Sequence, residues 1–239
     1  MEIVITMAGL GSRFIKAGYK CPKYMIEAKG RTLFEWSMES LRGYADKDNA
    51  YYFIVKKEDE AAGFIRRKCE ELGIDNVNVI ELYEPTDGQA TTAMLAGKSW
   101  RRDKPLMIYN IDTYVEAFEM KKEDIRGDGF IPCFNAPGSH WSFVRLDREG
   151  RADEVREKER ISDNCTLGAY YFSSCGLYEE LYSEYYSSDE NLEKGEKYVA
   201  PLYNYMIKKG MEVRICLIDE KKVHVLGTPE ELQVFINED

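Results

Sequence analysis

A glycine loop followed by two basic side chains lies close to the N-terminus, and it is the stretch that points most directly to chemistry. The loop consists of five uncharged residues, which are Ala8, Gly9, Leu10, Gly11 and Ser12. Because glycine has no Cβ, the backbone at Gly9 and Gly11 can approach a ligand and turn its N–H groups toward phosphate oxygens. Arg13 adds a forked guanidinium, and Lys23 adds a mobile ammonium. The sequence therefore predicts a phosphate-binding site here.

Two familiar phosphate-binding motifs do not match this loop. The dinucleotide-binding fingerprint requires a third glycine at the position that Phe14 occupies. The phosphate loop of nucleoside triphosphatases requires Gly-Lys followed by Ser or Thr, which is also missing. A plain strand-to-helix turn with solvated cations remains as the alternative interpretation of the glycines alone.

Strand and helix patterns alternate through the first half of the chain, and they indicate how the loop is positioned. Strand patterns cover residues 3–5, 51–55, 77–82 and 105–109, and helical patterns cover 58–72 and 90–100. This alternation predicts a mostly parallel sheet with helices on its faces. Since ligands bind at the carboxyl ends of such strands, we expect the loop after Ile5 at the binding edge.

A carboxylate follows the strand pattern at 105–109. Asp112 comes at the end of the segment Asn110-Ile-Asp112, where an oxygen ligand could hold Mg²⁺ between triphosphate oxygens. An isolated Asp is also common as a turn residue or a helix cap. Its place after a central strand makes Asp112 the candidate metal ligand.

The pattern changes in the second half, where short extended runs replace the alternation. These runs cover residues 129–134, 141–146, 153–158 and 167–172, with a hairpin turn predicted at 147–150. They predict antiparallel pairs over one edge of the site. Further along, 176–186 and 199–208 have helical patterns, and 211–218 and 222–226 have strand patterns.

Two helix starts carry the Thr-x-x-Glu pattern of a capping box. The first is formed by Thr32 and Glu35, and the second by Thr228 and Glu231, with Pro229 at the first helical position. We expect each glutamate side chain to bond back to the N–H of its threonine.

The opening stretch resembles the signature of the NTP transferase superfamily, the nucleotidyltransferases that activate sugar phosphates. That signature is a glycine-rich loop ending in Arg, then Pro-Lys shortly before a new helix, and here these are residues 8–13 and Pro22-Lys23. The closing Gly227-Thr-Pro segment is also similar, and members from capsule biosynthesis are the most similar. The resemblance implies a Rossmann-like α/β fold of the glycosyltransferase-A type, with an antiparallel extension on the substrate side.

The resemblance also implies how the chain is divided and what its first half binds. We expect one domain over residues 1–239, with a nucleotide-binding half at about 1–128 and an acceptor-binding half at about 129–239. Arg13 and the loop would hold the β- and γ-phosphates, Lys23 the α-phosphate and Asp112 a Mg²⁺ ion. Gly88 and Gln89, at a predicted helix start, would contact the nucleotide base.

The acceptor side follows from the segment Val155-Arg-Glu-Lys158, which resembles the superfamily's Glu-Lys segment. The resemblance implies that Glu157 receives sugar hydroxyls and Lys158 neutralises the acceptor phosphate. Without it, a Glu-Lys pair in a charged run is usually a solvated strand end. Two positions depart from the family, since Glu159 replaces a frequent proline and Val225 replaces a second metal-binding Asp.

The implied reaction joins a nucleoside monophosphate, taken from a nucleoside triphosphate, to a phosphorylated acceptor, with release of pyrophosphate. The acceptor would be a sugar 1-phosphate or a small alcohol or amide phosphate, for surface polysaccharide synthesis. Two other classes of protein remain as alternatives. A glycosyltransferase using a nucleotide sugar would usually have Asp-x-Asp, which Asn110 breaks, and a noncatalytic nucleotide-binding homologue is compatible with Val225.

Composition excludes several other classes of partner. The formal net charge of −10 argues against a nucleic-acid-binding face. The six cysteines are scattered without a Cys-x-x-Cys pair, as in a protein with reduced thiols, and no leader or long apolar run is evident, so we expect a cytoplasmic protein without a membrane partner. A homo-oligomer is compatible with the sequence. His140 and His224 lie far apart without metal-ligand spacing, and we expect both to be structural or solvent-facing.

Overall fold

One large mixed sheet with helices on its faces forms the structure of residues 1–238, which the computed structural model describes. The strands are β1 (Glu2–Thr6), β2 (Glu27–Ala28), β3 (Arg31–Thr32), β4 (Ala50–Lys56), β5 (Val77–Leu82), β6 (Leu106–Asn110), β7 (Thr113–Val115), β8 (Gly129–Asn135), β9 (Ser142–Leu146), β10 (Ala152–Glu157), β11 (Asn164–Thr166), β12 (Ala169–Phe172), β13 (Val213–Leu217) and β14 (Val223–Val225). The α-helices are α1 (Ser12–Lys16), α2 (Leu33–Glu39), α3 (Ala62–Leu72), α4 (Gln89–Met94), α5 (Cys175–Tyr185), α6 (Ala200–Lys208) and α7 (Pro229–Asn237).

The large sheet has the strand order β10-β9-β11-β8-β12-β6-β1-β4-β5, and β13 pairs with β8. The four neighbours β6, β1, β4 and β5 run parallel. Beyond β6 the pairs are antiparallel, except that β13 runs parallel to β8. The predicted α/β fold with an antiparallel extension is therefore confirmed.

Alternating side chains on β1 fill two cores, one on each face of the sheet. Ile3 and Ile5 belong to a buried cluster with Phe34 of α2 and Ile65 of α3. Val4 belongs to a second cluster with residues of α4, α5 and α6. Successive side chains of a strand point to opposite faces of the sheet. A strand whose consecutive residues are all apolar therefore requires helices that cover both faces. This explains why β1 is a central strand.

A third cluster joins the two ends of the chain. It contains Phe14 of α1, Leu226, which follows β14, and Leu232 of α7, and these side chains are at most 2 % exposed. Burying such a side chain contributes roughly 1.5–3 kcal/mol. In addition, β14 pairs antiparallel with β7, directly after Asp112. The C-terminal helix is thereby held against the glycine loop.

Several sequence-predicted elements have different boundaries in the structure. The helix predicted at 90–100, for example, is the α-helix Gln89–Met94 followed by a 3-10 turn at Leu95–Lys98. The helix predicted at 58–72 begins only at Ala62, because Glu60 takes a left-handed conformation with φ 46°. The strand predicted at 167–172 is found as β12, but it begins only at Ala169, and β11 has already ended at Thr166. Between them Gly168 has φ 83° and packs against the Asn110 side chain. The break turns the chain toward the end of β6.

The helices within residues 1–238 were compared with the length and apolarity that a membrane span needs. None of them is both long and apolar enough to cross a bilayer.

Replacing Gly168 by Ala is expected to destabilise the fold more than the same change at Gly210. Both glycines have positive φ, +83° and +78°, so Ala meets similar backbone strain at each. A Cβ at Gly168 would also lie 2.8 Å from Nδ2 of Asn110, whereas no atom lies within 4 Å of one at Gly210. We expect the free energy of unfolding in urea to fall by about 1 kcal/mol for Gly210→Ala and by about 2–3 kcal/mol for Gly168→Ala. Equal losses would show that the contact with Asn110 carries no energy.

Candidate active site

A cavity of about 220 Å³ lies at the carboxyl ends of β1 and β6. Its polar lining includes residues from both halves of the chain, among them Arg13, Gln89, Asn110, Asp112, Glu157 and Glu231. A larger cavity of about 420 Å³, lined by Arg42, Tyr51 and Ile74, contains none of the sequence-predicted site residues. We therefore take the smaller cavity as the candidate active site.

An ion pair joins Lys23 to Asp112, and the Asp112 side of this pair lines the cavity. Nζ of Lys23 lies 3.0 Å from Oδ2 of Asp112, and the two side chains are 18 % and 35 % exposed. Lys23 begins a single 3-10 turn, Lys23–Met25, directly after Pro22. On the other side, the backbone N–H of Leu226 donates to the carbonyl oxygen of Asp112 at 2.8 Å. The ammonium and the carboxylate are thus held together by three separate segments.

The glycine loop leads from β1 into the short helix α1. Gly11 is the N-cap of that helix and has the left-handed φ of 61°. Gly9 and Leu10 are exposed, and within residues 1–238 no backbone hydrogen bond uses the N–H groups of residues 8–12. These donors are free to bind an anion. The buried Phe14 side chain anchors the segment that presents them.

The Arg13 guanidinium projects from the same segment. Arg13 is exposed and lines the cavity. Among residues 1–238, its side chain has neither an ion-pair nor a hydrogen-bond partner, whereas Lys23 is paired with Asp112. The Arg13 guanidinium is therefore available to a ligand.

The two residues predicted to contact the base are placed differently. Gln89, at the start of α4, lines the cavity, and its Nε2 donates to Oδ1 of Asn110 and, at 3.4 Å, to Oγ1 of Thr6. Gly88 has φ 144°, and a Cβ there would fall on the backbone of Lys197. Gln89 thus faces the cavity, while Gly88 allows two backbone segments to pack closely.

Glu157 and Lys158 lie at the end of β10, on the acceptor side. Oγ of Ser142 donates to Oε2 of Glu157, and Nζ of Lys158 lies 3.5 Å from the other carboxylate oxygen. Lys158 also donates to the hydroxyl of Tyr198 at 2.9 Å. Burial opposes its charge, but the Tyr198 hydroxyl and the Glu157 carboxylate raise the pKa of Lys158 above its usual value. Glu157 lines the cavity directly, and Lys158 reaches it through Tyr198.

The sequence did not identify several residues that line the cavity. Four of them have rings, and they are His140, Trp141, Tyr170 and Tyr198. Three of them lie in loops and Tyr170 lies within β12, so no shared helical or strand period could have placed them together. The rings give the acceptor side an aromatic wall beside Glu157.

The last unexpected group is Glu231, in the first turn of α7. Its backbone N–H donates to Oγ1 of Thr228 at 3.1 Å, as a capping box requires. The reciprocal bond is not formed, so the prediction that the Glu231 side chain closes the box is wrong. That side chain lines the cavity, as does Val225, at the position where a second metal-binding Asp was sought.

The residues present fit a divalent cation bound together with phosphate oxygens. No cluster of three or more His, Cys, Asp or Glu side chains within residues 1–238 could hold a metal alone. Asp112 does present a partly exposed carboxylate to the cavity. Mg²⁺ is usually bound by one or two carboxylates, with substrate phosphates completing its shell. The donor set is of that kind.

Comparison with known proteins identifies relatives of this fold. The nucleoside-diphosphate-sugar pyrophosphorylase from Vibrio cholerae RC9 is 37% identical, with a TM-score of 0.91 over 99% of this chain and 100% of that chain. The inositol-1-phosphate CTP transferase from T. maritima has a TM-score of 0.77 at 14% identity, over 99% of this chain and 96% of that chain, and shares the fold. No protein-family model and no curated protein matches the chain.

The Vibrio cholerae relative aligns along the whole chain, so the likeness includes the glycine loop, the end of β6 and the C-terminal helix. The opening motif had predicted the same family. This chain belongs to the sugar-phosphate nucleotidyltransferase (NTP transferase) superfamily, together with the nucleoside-diphosphate-sugar pyrophosphorylases.

Proposed function

We propose that the protein transfers a nucleoside monophosphate from a nucleoside triphosphate to a phosphorylated acceptor and releases pyrophosphate. The 37% identical relative is a nucleoside-diphosphate-sugar pyrophosphorylase, and this supports the reaction. The observation that carries the proposal is structural: Arg13 and Asp112 line one cavity, and Lys23 is bonded to that Asp112 carboxylate. These are the groups that a triphosphate and a cation require.

In the proposed reaction, an oxygen of the acceptor phosphate attacks the α-phosphorus of the nucleotide. The new bond joins that oxygen to the α-phosphorus, the bond to the β-phosphate bridging oxygen breaks, and pyrophosphate leaves with the electron pair. An acceptor phosphate is already a nucleophile at neutral pH, so no general base is required. What the protein must provide is in-line positioning and neutralisation of charge.

The N-terminal segment would carry out most of this neutralisation. The free N–H groups of residues 8–12 and the Arg13 guanidinium would bind the β- and γ-phosphates, and Lys23 would bind the α-phosphate. For this, Lys23 exchanges its contact with Asp112 for one with the phosphate. Both partners are partly exposed, so the exchange costs little, about 1 kcal/mol or less.

Asp112 would hold a Mg²⁺ ion beside the phosphates. When bound, Mg²⁺ supplies positive charge that offsets the developing charge on the phosphate oxygens. The partly exposed carboxylate of Asp112 at the end of β6 supports this role. Once Lys23 has moved to the nucleotide, both oxygens of the Asp112 carboxylate would be available to the ion.

Base and acceptor binding are proposed on opposite sides of this centre. Gln89 faces the cavity and would contact the base, with Gly88 setting the close approach of its loop. Glu157 would receive hydroxyl groups of the acceptor, and Lys158 would bind the acceptor phosphate after leaving Tyr198. The aromatic wall is compatible with the apolar face of a sugar ring or with a small alcohol phosphate.

We also propose a cytoplasmic role in surface polysaccharide synthesis, with a homo-oligomer as a compatible assembly. The resemblance of the glycine loop, the Pro-Lys segment and the Gly-Thr-Pro segment to capsule-biosynthesis members supports the pathway. The six cysteines are free thiols, four of them buried, which supports a reducing compartment.

The reaction is tested by incubating the protein with each nucleoside triphosphate, Mg²⁺ and a panel of sugar 1-phosphates and small alcohol phosphates, while pyrophosphate is measured. Pyrophosphate release that depends on one nucleotide and one acceptor supports the proposal. Tight nucleotide binding without release with any acceptor would instead identify a binding protein. Consumption of a nucleotide sugar without pyrophosphate would identify a glycosyltransferase.

Replacing Lys23 by Met is expected to lower kcat/KM for the nucleotide by about 10²–10³-fold, because it removes a cation from the transferred phosphate. Lys20→Met is the matched control, since Lys20 is exposed and lies in the same segment, whereas it is Lys23 that is bonded to Asp112. Its kcat/KM is expected to stay within about twofold of the unchanged protein. Near-equal activity of the two variants would refute the role of Lys23.

Lys158→Met is expected to raise KM for the acceptor by about tenfold while KM for the nucleotide is unchanged, since one charged hydrogen bond to phosphate is lost. Arg156→Met is its control, because Arg156 is two residues away in sequence but bonds to Glu154, whereas Lys158 bonds to Tyr198, which lines the cavity. Steady-state kinetics with both substrates varied separate the two constants. A rise in KM for the nucleotide instead would show that Lys158 binds the nucleotide and not the acceptor.

A further inference from the structure

The two Thr-x-x-Glu helix starts differ in what their glutamates do. At the start of α2, Oε2 of Glu35 accepts hydrogen bonds from both the backbone N–H and the hydroxyl of Thr32, at 2.8 and 2.7 Å. At the start of α7, Thr228 caps the helix, but the Glu231 carboxylate has no hydrogen-bond or ion-pair partner within residues 1–238. The same sequence pattern therefore leaves one carboxylate uncommitted.

This uncommitted carboxylate lies beside the candidate metal ligand. A point in the cavity wall, where a Cβ on Gly227 would be, is 3.3 Å from Oε2 of Glu231 and 3.8 Å from Oδ2 of Asp112. The absence of a side chain at Gly227 keeps the space between the two carboxylates open. Glu231 and Asp112 also line the same cavity.

We propose that Glu231 supplies the second carboxylate oxygen to the divalent cation held by Asp112. The position where the resemblance placed a second metal-binding Asp is Val225, which lines the cavity in register with Thr113 but has no oxygen to offer. Glu231 reaches the same cavity from the next element of the chain. The inference rests on the proposed function only in placing a cation at Asp112.

The charges around the site favour a shared cation over two isolated carboxylates. Lys23 is bonded to Asp112, whereas Glu231 faces the cavity without a bonded cation in the described chain. Arg13 lines the cavity as well, and the proposed function assigns it to the triphosphate. The ion pair between Lys23 and Asp112 is partly exposed and weak, so a divalent cation can displace the ammonium from Asp112 by itself. It would then lie between two adjacent carboxylates and offset their repulsion, and carboxylate oxygens are the donors it prefers.

A purely structural role for Glu231 predicts a different outcome. An acidic side chain in the first turn of a helix interacts favourably with the helix dipole. Glu230 occupies the same first turn and is exposed and outside the cavity. Glu230→Gln therefore reproduces the loss of charge at this helix end without touching the cavity.

The test is direct binding of Mn²⁺ to the full chain, measured from the free Mn²⁺ signal by electron paramagnetic resonance, without substrates. We expect Glu231→Gln and Glu231→Ala to weaken Mn²⁺ binding by about tenfold or more, as Asp112→Asn does. Glu230→Gln should bind Mn²⁺ as the unchanged protein does. Thermal unfolding of all four variants checks that they are folded, and the two glutamine variants of α7 should have similar Tm values.

Equal Mn²⁺ affinity in Glu231→Gln, Glu231→Ala and the unchanged protein would overturn the proposal, as would a failure of the unchanged protein to bind Mn²⁺. Equal weakening by Glu230→Gln and Glu231→Gln would also overturn it, because the effect would then be that of charge at the helix end. Because this test measures metal binding and no turnover, its outcome is independent of whether the protein catalyses the proposed reaction. An inactive protein that loses Mn²⁺ only in the Asp112 and Glu231 variants would refute the reaction and support the metal site.

Discussion

The ion pair between Lys23 and Asp112 is the contact on which the site depends, because it joins two segments that are 89 residues apart in sequence. Lys23 follows the glycine loop at the end of β1, and Asp112 follows β6, the parallel neighbour of β1. Parallel pairing brings both strand ends to one edge, and the ion pair then fixes the side chains there. A partly exposed pair of this kind is weak, so a charged ligand can separate it. The contact that organises the site is thus one that a triphosphate would replace in the proposed reaction.

The second half of the chain completes this edge from two directions. The antiparallel extension contributes Glu157 and rings of the aromatic wall to the same cavity that Gln89 lines. The chain end returns through β14, which pairs with β7 directly after Asp112, and α7 packs its apolar face on Phe14 of the loop segment. The packing of α7 therefore determines where Glu231 lies. One apolar cluster positions both the loop that would bind phosphate and the carboxylate proposed to bind metal.

Much of the fold and the centre of the site could be predicted from local patterns in the sequence. The alternation of strands and helices, the glycine loop and a carboxylate after a central strand each have a local signal, and β5 has the predicted bounds. The break at Gly168 was missed, because the apolar run continues through it and only the packing on Asn110 explains the turn. Glu231 was wrongly predicted to close a capping box, because the Thr-x-x-Glu pattern is the same whether the glutamate bonds back to the threonine or stays unbonded. Which of the two arrangements forms depends on the tertiary contacts of α7.

The central claim is that these groups position an acceptor phosphate for attack on the α-phosphorus of a nucleotide. The most direct measurement uses an acceptor whose non-bridging phosphate oxygens are labelled with ¹⁸O, in a reaction that releases pyrophosphate, with the label located by ³¹P NMR. The account predicts label in the oxygen that bridges the two phosphorus atoms of the product, and none in the pyrophosphate. A product whose bridging oxygen is unlabelled would contradict the account. Release of nucleoside monophosphate without any product that joins nucleotide and acceptor would also contradict it.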